Sequence, residues 1–368
     1  MKANRGWLVA AGLLALAGCG GEGGNAAFNG KIFFGPQSGQ QQDASPQSCS
    51  SAVARIDALP ITADHTVLDH LSDSGRASGY QYLFTPADAL HTPVSVAPGD
   101  AGIASQANFF GGDQASWTRL RTGSGNNSAL MLGYGTVDQQ QVVWTWDGSP
   151  VTRYAPPAGV VVERVAGPAD DGSFAVDIYD ESTVKQDILL WRPDGSYSSV
   201  YNITPVKAGM SLVGMASNGL IGGVERDGYL LTPKIYDGQW KALGFDYNNC
   251  SCDAVRVNAS GKMLMTPRPD LAPDARGYLA GIGYASVLPR LTVDTRYADL
   301  NDRGDIVGTA GSTAIAILDG RLHDLNDYAD SASLGWHFDS AVAINNHRQI
   351  VGLGTWQGMQ RWYLLTLK

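Results

Sequence analysis

A short turn between two apolar, β-prone runs recurs along this chain at a nearly constant interval. The clearest copies read Asn-Asp-Arg-Gly-Asp-Ile-Val-Gly at 301–308 and Asn-Asn-His-Arg-Gln-Ile-Val-Gly at 345–352. Weaker copies lie at 258–265, at 216–222, and around Gly172, Ser128 and Gly75. The turn positions 75, 128, 172, 219, 261, 304 and 348 are spaced by 53, 44, 47, 42, 43 and 44 residues. A repeat of this length excludes most enzyme folds.

A second turn motif runs in phase with the first. Asp-Gly follows an apolar run at 147–148, 194–195, 237–238 and 319–320. This pair predicts a tight hairpin because Gly accepts positive φ. One copy is missing, and we expect Gly283 to replace it. Each unit then has four short strands, as at 296–300, 305–308, 314–318 and 321–325, and the chain is predicted to be an all-β, single β-propeller with seven four-stranded blades.

The last repeat supplies three strands, at 341–344, 349–353 and 361–367, before Lys368. Near the other end, Asn29-Gly30 and the following run Lys31–Phe34, which is apolar after Lys31, match the phase of the missing turn and strand. We expect Asn29–Phe34 to pair with Arg361–Leu367 and close the ring, which would remove two exposed sheet edges. The alternative is that this run lies outside the fold.

The first 18 residues read as an export signal. Lys2 and Arg5 precede an apolar run, Trp7–Ala17, that is too short to span a bilayer. The segment ends in Leu-Ala-Gly-Cys19, which resembles the lipobox of bacterial lipoproteins. The resemblance implies that Cys19 is acylated; an ordinary secretory signal is the alternative. Residues 19–27 then form a flexible tether and residues 28–368 the propeller.

Gly20 after Cys19 resembles lipoprotein signals that sort to the outer membrane, so we expect a lipid anchor there, on the periplasmic side or at the cell surface. Without Lys2 and Arg5, the 26 basic residues fall to 24 against 35 acidic ones, a net charge of −11. An acidic chain with no Lys/Arg cluster is a poor nucleic-acid binder.

Three cysteines follow Cys19, and an exported protein can keep a disulfide. We expect Cys49 to pair with Cys250 or Cys252. No His lies near the Cys-Ser-Cys pair, so it does not predict a zinc site. Residues 299–306 superficially match a calcium loop, but Arg303 stands where a carboxylate is needed. We therefore predict no metal and no cofactor.

No nucleophile elbow, phosphate loop or His-Glu-x-x-His motif occurs, so no catalytic residue is predicted. Tryptophans near predicted loops or strand ends are binding candidates, because an exposed indole stacks on a sugar or fills a protein pocket. The alternative is packing at the edge of the core. The candidates are Trp117, Trp240, Trp336 and Trp356.

The order of strands sorts the loops into two rims. Turns of the two repeated motifs lie at one rim, the hairpin rim. Connections between blades, and between the second and third strands of a blade, lie at the other, the long-loop rim. The long connections are predicted at the long-loop rim: 35–48, 99–116, 246–253, 266–276 and 327–337. Loops on a rigid scaffold commonly carry function.

Residues 297–368 resemble the HAF-repeat extracellular proteins of bacteria. The matching positions are Leu300-Asn301, Gly304, Ile306–Gly308, Leu322–Leu325, Ile344-Asn345 and Ile350–Gly352. The His-Ala-Phe signature of this group is absent from the chain, and Arg361–Leu365 stands in its place. The resemblance implies a repeat architecture and export but no particular activity.

We therefore expect a membrane-anchored, monomeric interaction module that binds a protein, a peptide or an envelope glycan at the long-loop rim. One alternative is a polysaccharide lyase or hydrolase, since propellers host such enzymes. Another is an assembly or structural factor of the outer membrane. An enzyme should show clustered acids, His or Tyr at the central channel, whereas a binding module should show an aromatic patch with few titratable groups.

Overall fold

The computed structural model describes residues 53–84, 89–102, 117–125, 127–203, 208–245, 247–328 and 334–368. These residues form seven antiparallel sheets whose innermost strands contact one another around a central axis. The chain is thus a seven-bladed β-propeller, as predicted. No helix in these ranges is long and apolar enough to cross a membrane. The signal segment, Cys19, the tether and Cys49 lie outside the described residues.

Blades are numbered 1 to 7 along the chain, and each lists its innermost strand first. Blades 1 to 3 are β2 (Thr66–Leu71), β3 (Ala77–Phe84), β4 (Ala89–Val96); β5 (Trp117–Gly125), β6 (Met131–Val137), β7 (Gln140–Trp146), β8 (Thr152–Tyr154); and β9 (Val161–Ala166), β10 (Phe174–Asp180), β11 (Lys185–Trp191), β12 (Tyr197–Ile203). Blades 4 and 5 are β13 (Ala208–Met215), β14 (Ile221–Asp227), β15 (Leu230–Tyr236), β16 (Trp240–Ala242); and β17 (Cys252–Val257), β18 (Met263–Pro267), β19 (Tyr278–Gly281), β20 (Tyr284–Val287).

Blade 6 contains β21 (Thr295–Leu300), β22 (Ile306–Ala310), β23 (Thr313–Leu318) and β24 (Arg321–Asp324). Blade 7 contains β25 (Trp336–Ile344), β26 (Gln349–Trp356), β27 (Met359–Leu367) and β1 (Val53–Thr62). Short 3₁₀ turns lie at Tyr247–Asn249 and Leu325–Asp327. Blade 1 has three strands within the described ranges, and the other six blades have four.

An N-terminal strand closes the ring, but it is not the segment predicted. Val53–Thr62 pairs antiparallel with β27, with Ile56 opposite Leu365. The predicted strand, Asn29–Phe34, lies outside the described residues. Leu59 and Ile61 alternate into the core between blades 7 and 1 and are 1% and 4% exposed. This period-two pattern buries one face of the strand, whereas the prediction for 29–34 followed turn phase alone.

The repeated turns have the backbone conformation that the sequence predicted. Each first-motif turn has one residue at positive φ: Gly75, Ala129, Gly172, Gly219, Gly261, Gly304 and Arg348. The anchor in blade 2 is therefore Ala129 rather than Ser128. Gly283, with φ of 78°, takes the place of the missing Asp-Gly turn. The tryptophans inside strands, including Trp144, pack in the core between blades.

Candidate functional site

At the hairpin rim, the first residue of several repeated turns bonds to the next blade. Asn258 Nδ2 donates to the Asn301 carbonyl at 2.9 Å, and Asn301 Nδ2 donates to the Asn345 carbonyl at 3.0 Å. Asn345 Nδ2 then donates to the Ser72 carbonyl at 2.8 Å, which joins blade 7 to blade 1. The three asparagine side chains are buried. The Asn of the repeat is therefore a blade-to-blade connector.

The second residue of the turn adds a parallel set of bonds. Asp302 Oδ1 accepts from the Ala259 amide at 2.7 Å, and Asn346 Oδ1 accepts from the Asp302 amide at 2.9 Å. Asp73 Oδ1 accepts from the Asn346 amide at 2.9 Å. In the described chain, such turn-to-turn bonds link every neighbouring pair of blades. The carboxylates that suggested a calcium loop are used as hydrogen-bond acceptors in this ring.

A small cavity of about 60 Å³ lies on the axis beside this ring and is lined by residues of all seven blades. Inside it, Arg256 Nε bonds to Asp299 Oδ1 at 2.6 Å, and the Ile344 amide donates to Asp299 Oδ2 at 2.9 Å. Burial raises the pKa of the nearby Asp69 carboxyl to about 7. The Arg256–Asp299 pair thus joins blades 5 and 6, with both charges matched. We assign it a structural role.

The long-loop rim has a different surface. Eleven large apolar side chains in the described residues are well exposed. Eight lie in long-loop connections or at the strand ends that reach them: Val184, Tyr229, Leu230, Leu271, Val287, Val293, Leu334 and Met359. The three at the hairpin rim are Tyr197, Ile282 and Tyr284. Exposed apolar surface on one face of a protein is typical of an interaction site.

Two of the predicted tryptophans meet at this rim. Trp336 begins β25 and Trp356 ends β26, and the two indoles stack with centroids 5.9 Å apart. Trp356 is half-buried and donates its indole N–H to the Leu334 carbonyl at 3.1 Å. The guanidinium of Arg361 lies 5.9 Å from the Trp356 ring, within the range of a cation–π contact. Leu334 and Met359 are exposed beside this pair.

The binding predictions for Trp336 and Trp240 need correction, whereas that for Trp117 stays a prediction. Trp336 is only 7% exposed, because it packs into the core between blades 6 and 7. It is therefore the buried member of the stacked pair, and its indole supports the ring of Trp356. Trp240 lies at the hairpin rim, where its indole N–H donates to the Val200 carbonyl at 2.8 Å and its ring packs against Tyr236. It therefore holds blade 4 to blade 3. Trp117 begins β5 at the long-loop rim.

The expected disulfide is also wrong. Cys250 pairs with Cys252, with Cα atoms 5.2 Å apart, so neither is available to Cys49. Both cysteines are buried at the long-loop rim between blades 4 and 5. Ser251 between them has φ of 46°, the left-handed conformation that closes this short ring. Sequence reasoning favoured a bridge to the distant Cys49 and missed that two cysteines separated by one residue can form a disulfide with each other.

Sequence reasoning also missed Tyr229, Leu230 and Leu271. The apolar run 229–231 predicts a strand across all three residues, but β15 begins at Leu230, and Tyr229 lies in the turn before it. The available signal was Gly228, which marks the turn. Within the described ranges, no group of three or more His, Cys, Asp or Glu side chains is arranged to hold a metal ion.

No family model and no curated protein matches this chain. Solved structures do match. The β-propeller domain of the Trilobed protease from Pyrococcus furiosus is 9% identical over 83% of this chain and 94% of its own, with a TM-score of 0.50. Pyrococcus horikoshii acylaminoacyl peptidase is 11% identical (TM-score 0.49), and YCF48 from Cyanidioschyzon merolae is 11% identical (TM-score 0.48).

The alignments with these last two proteins cover 82% and 85% of this chain. They cover 53% of the peptidase and 99% of YCF48, so the chain spans about half the length of the peptidase. At these identities structural likeness reports the fold and not the activity. The likeness to the Trilobed protease domain agrees with the fold described above, a β-propeller.

Proposed function

We propose that this chain is an exported, lipid-anchored β-propeller that binds a protein or peptide partner at its long-loop rim. The observation that carries the proposal is the unequal distribution of exposed apolar side chains between the rims. Eight of the eleven lie at the long-loop rim. The hairpin-rim turns are joined to one another by hydrogen bonds, and the charged groups at the adjoining cavity bond within the protein.

The aromatic site of blade 7 supports the same proposal. Trp356 rests on the buried Trp336 and is flanked by Arg361, Met359 and Leu334. Tryptophan and arginine are enriched among the residues that dominate binding energy in protein interfaces.

The anchor is part of the same proposal. We propose that Cys19 is the lipidated residue and that the outer membrane is the location, on the lipobox-like sequence that ends at Cys19. We further propose that the chain is related to the HAF-repeat group, on the matches in residues 297–368.

Photo-crosslinking tests the rim assignment. We would replace Met359, at the long-loop rim, with p-benzoylphenylalanine in the full chain, in cells that naturally make it. Ile282 of the hairpin rim is the matched control, since both side chains are exposed, at 49% and 56%. We expect a discrete protein adduct from position 359 alone. Equal adducts from both positions, or an adduct only from 282, would contradict the proposal.

Two further assays address the anchor and the other ligand classes. Cys19→Ser should move the protein from the membrane fraction to the soluble fraction, whereas an unchanged distribution would refute the anchor. Co-sedimentation with purified cell-wall polysaccharide, lost on Trp356→Ala, would instead support a glycan partner. Cleavage of that polysaccharide by the purified protein would replace the binding proposal with an enzyme.

A further inference from the structure

The hairpin between β14 and β15 presents two apolar side chains at the long-loop rim. Asp227 pairs with Leu230, so the loop contains only Gly228 and Tyr229. Gly228 has φ of 60°, as two-residue hairpin loops require. Tyr229 is 101% exposed and Leu230 is 61% exposed. Side chains this exposed contribute little to the core and are accessible to a partner.

A second apolar tip projects from the next blade. Leu271 lies in the connection between β18 and β19 and is 65% exposed. This connection has a defined turn, because the amides of Leu271 and Ala272 both donate to the Arg268 carbonyl, at 2.9 and 3.1 Å. Blades 4 and 5 thus each present an apolar tip on the same rim.

One short loop holds both tips. Residues 247–252, here called the bracket, connect blade 4 to blade 5. On one side, the Asn248 side chain accepts from the Leu231 amide at 2.9 Å and donates to the Leu231 carbonyl at 3.4 Å. On the other side, the Ser251 carbonyl accepts from the Arg268 amide at 2.8 Å. The bracket therefore bonds directly to both tip-bearing connections.

The bracket is itself fixed. The Cys250–Cys252 disulfide closes a ring around Ser251, and both cysteines are buried. The Tyr247 hydroxyl accepts from the Ala254 amide at 3.4 Å, and the Tyr247 ring packs against Phe245. A surface that is ordered before binding loses less conformational entropy on association, so its contacts contribute more to affinity.

The ion pairs beside the Leu271 tip are balanced. Arg268 pairs with Asp253 at 3.1 Å and with Asp270 at 2.8 Å, and Arg296 also contacts Asp270. In this network two acids meet two bases, so it adds no net charge beside the apolar tip. The tips are convex and apolar, which suits apolar pockets in a folded protein. A glycan needs converging polar groups in a concave site.

We propose that Tyr229–Leu230 and Leu271 form a two-point apolar docking surface for a folded partner protein, positioned by the Cys250–Cys252 bracket. This inference rests on the proposed function and names the part of the long-loop rim that makes the contact. The tips supply the apolar anchors, and the bracket sets their spacing.

Crosslinking from the tip tests the surface directly. With p-benzoylphenylalanine in place of Tyr229 in the full chain, in cells that naturally make it, we expect one discrete adduct with a protein that mass spectrometry identifies. The matched control replaces Tyr197, an exposed tyrosine of the hairpin rim, and should not form this adduct. No adduct from 229, equal adducts from both positions, or an adduct with a second copy of the chain would overturn the proposal.

Affinity for the identified protein, purified and measured by calorimetry, then tests each part. Leu230→Ser and Leu271→Ser should each weaken binding by roughly tenfold or more, whereas Tyr197→Ser should leave it unchanged. Cys250→Ser with Cys252→Ser should weaken it severalfold, and Asn248→Ala, which retains the disulfide, should do so too. Binding within twofold of the parent chain for both leucine variants would overturn the docking surface; unchanged binding by both bracket variants would overturn the positioning role.

These results separate the present proposal from the proposed function. An adduct from Met359 without one from Tyr229 would keep the long-loop rim as the binding face and reject this docking surface. Adducts from neither position would reject both.

Discussion

The two rims of this propeller use their connections differently. At the hairpin rim, similar short turns recur in every blade, and their polar side chains bond from blade to blade. At the long-loop rim, the fully described connections vary in length from the two residues 228–229 to the ten residues 268–277, and apolar side chains point to solvent. The repeated motif therefore closes the ring, and the non-repeated segments remain available for recognition.

Ring closure should give the largest effect, because both rims depend on it. Leu59 of β1 is 1% exposed in the core between blades 7 and 1. Leu59→Ala should lower the free energy of unfolding by about 2–5 kcal/mol, the usual cost of such a core truncation. Urea unfolding would measure it, with the exposed Ala58→Ser on the same strand as control. Equal stability of the two variants would show that β1 does not close the ring.

The hairpin rim should be the next most sensitive. Asn301 is 4% exposed, donates to the Asn345 carbonyl and accepts from the Asp305 amide at 2.9 Å. Asn301→Ala removes the acceptor of the Asp305 amide and one of the two donors to the Asn345 carbonyl, and should cost about 1–3 kcal/mol. Asn218→Ala removes an exposed bond to the Ala259 carbonyl and should cost clearly less in the same urea titration. If Asn218→Ala cost more stability than Asn301→Ala, the buried asparagine of the repeat would not be the connector between blades.

Between the rims, a buried acid should make stability depend on pH. Burial raises the pKa of Asp177 to about 7, and Gln186 donates to it at 2.8 Å while bonding to Met210 of blade 4. The native state therefore binds this proton more tightly than the unfolded chain. Stability from this group is greatest at pH values below the unfolded pKa and is lost as pH rises through about 7.

Thermal unfolding at pH 5.5 and pH 8 would detect this contribution. Asp177→Asn should reduce the difference between the two midpoints by a few degrees. Hydrogen bonds from Ser182 and Thr183 lower the pKa of the exposed Asp180 to about 2, so Asp180→Asn should leave that difference unchanged. An unaltered difference for Asp177→Asn would show that this carboxyl does not titrate with folding.

The smallest effect on stability belongs to the long-loop rim. Tyr229→Ser and Leu271→Ser should change the free energy of unfolding by no more than about 0.5 kcal/mol, because their side chains are exposed. The same urea titration would measure both variants. A loss comparable to that of Asn301→Ala would mean that these side chains stabilise the fold, and the contrast between rims would fail.

Sequence periodicity predicted the architecture well because a propeller repeats its strands and turns. The four strands of blade 6 were located within about two residues, and Gly283 was correctly given a turn role. The phase of the turns predicted the closing strand at Asn29–Phe34, but β1 closes the ring. The alternation of Leu59 and Ile61 marks β1, because it decides which face of the strand is buried.

The candidate site was harder to predict because recognition residues do not repeat. Trp336 and Trp240 carry the same side chain as Trp356, but packing partners, which the sequence does not show, bury the first and attach the second to the opposite rim. Tyr229 belongs to an apolar run in the sequence, but the positive φ of Gly228 turns the chain there and places Tyr229 in the loop.

The central claim is that the long-loop rim recognises the partner and the hairpin rim does not. Hydroxyl-radical footprinting of the propeller, free and bound to the partner identified by crosslinking, tests it most directly, because it reports the exposure of individual side chains. We predict reduced labelling of Tyr229, Leu271 and Met359, with unchanged labelling of Tyr197, Ile282 and Tyr284, which are also exposed. Reduced labelling of the second group, with the first unchanged, would contradict it.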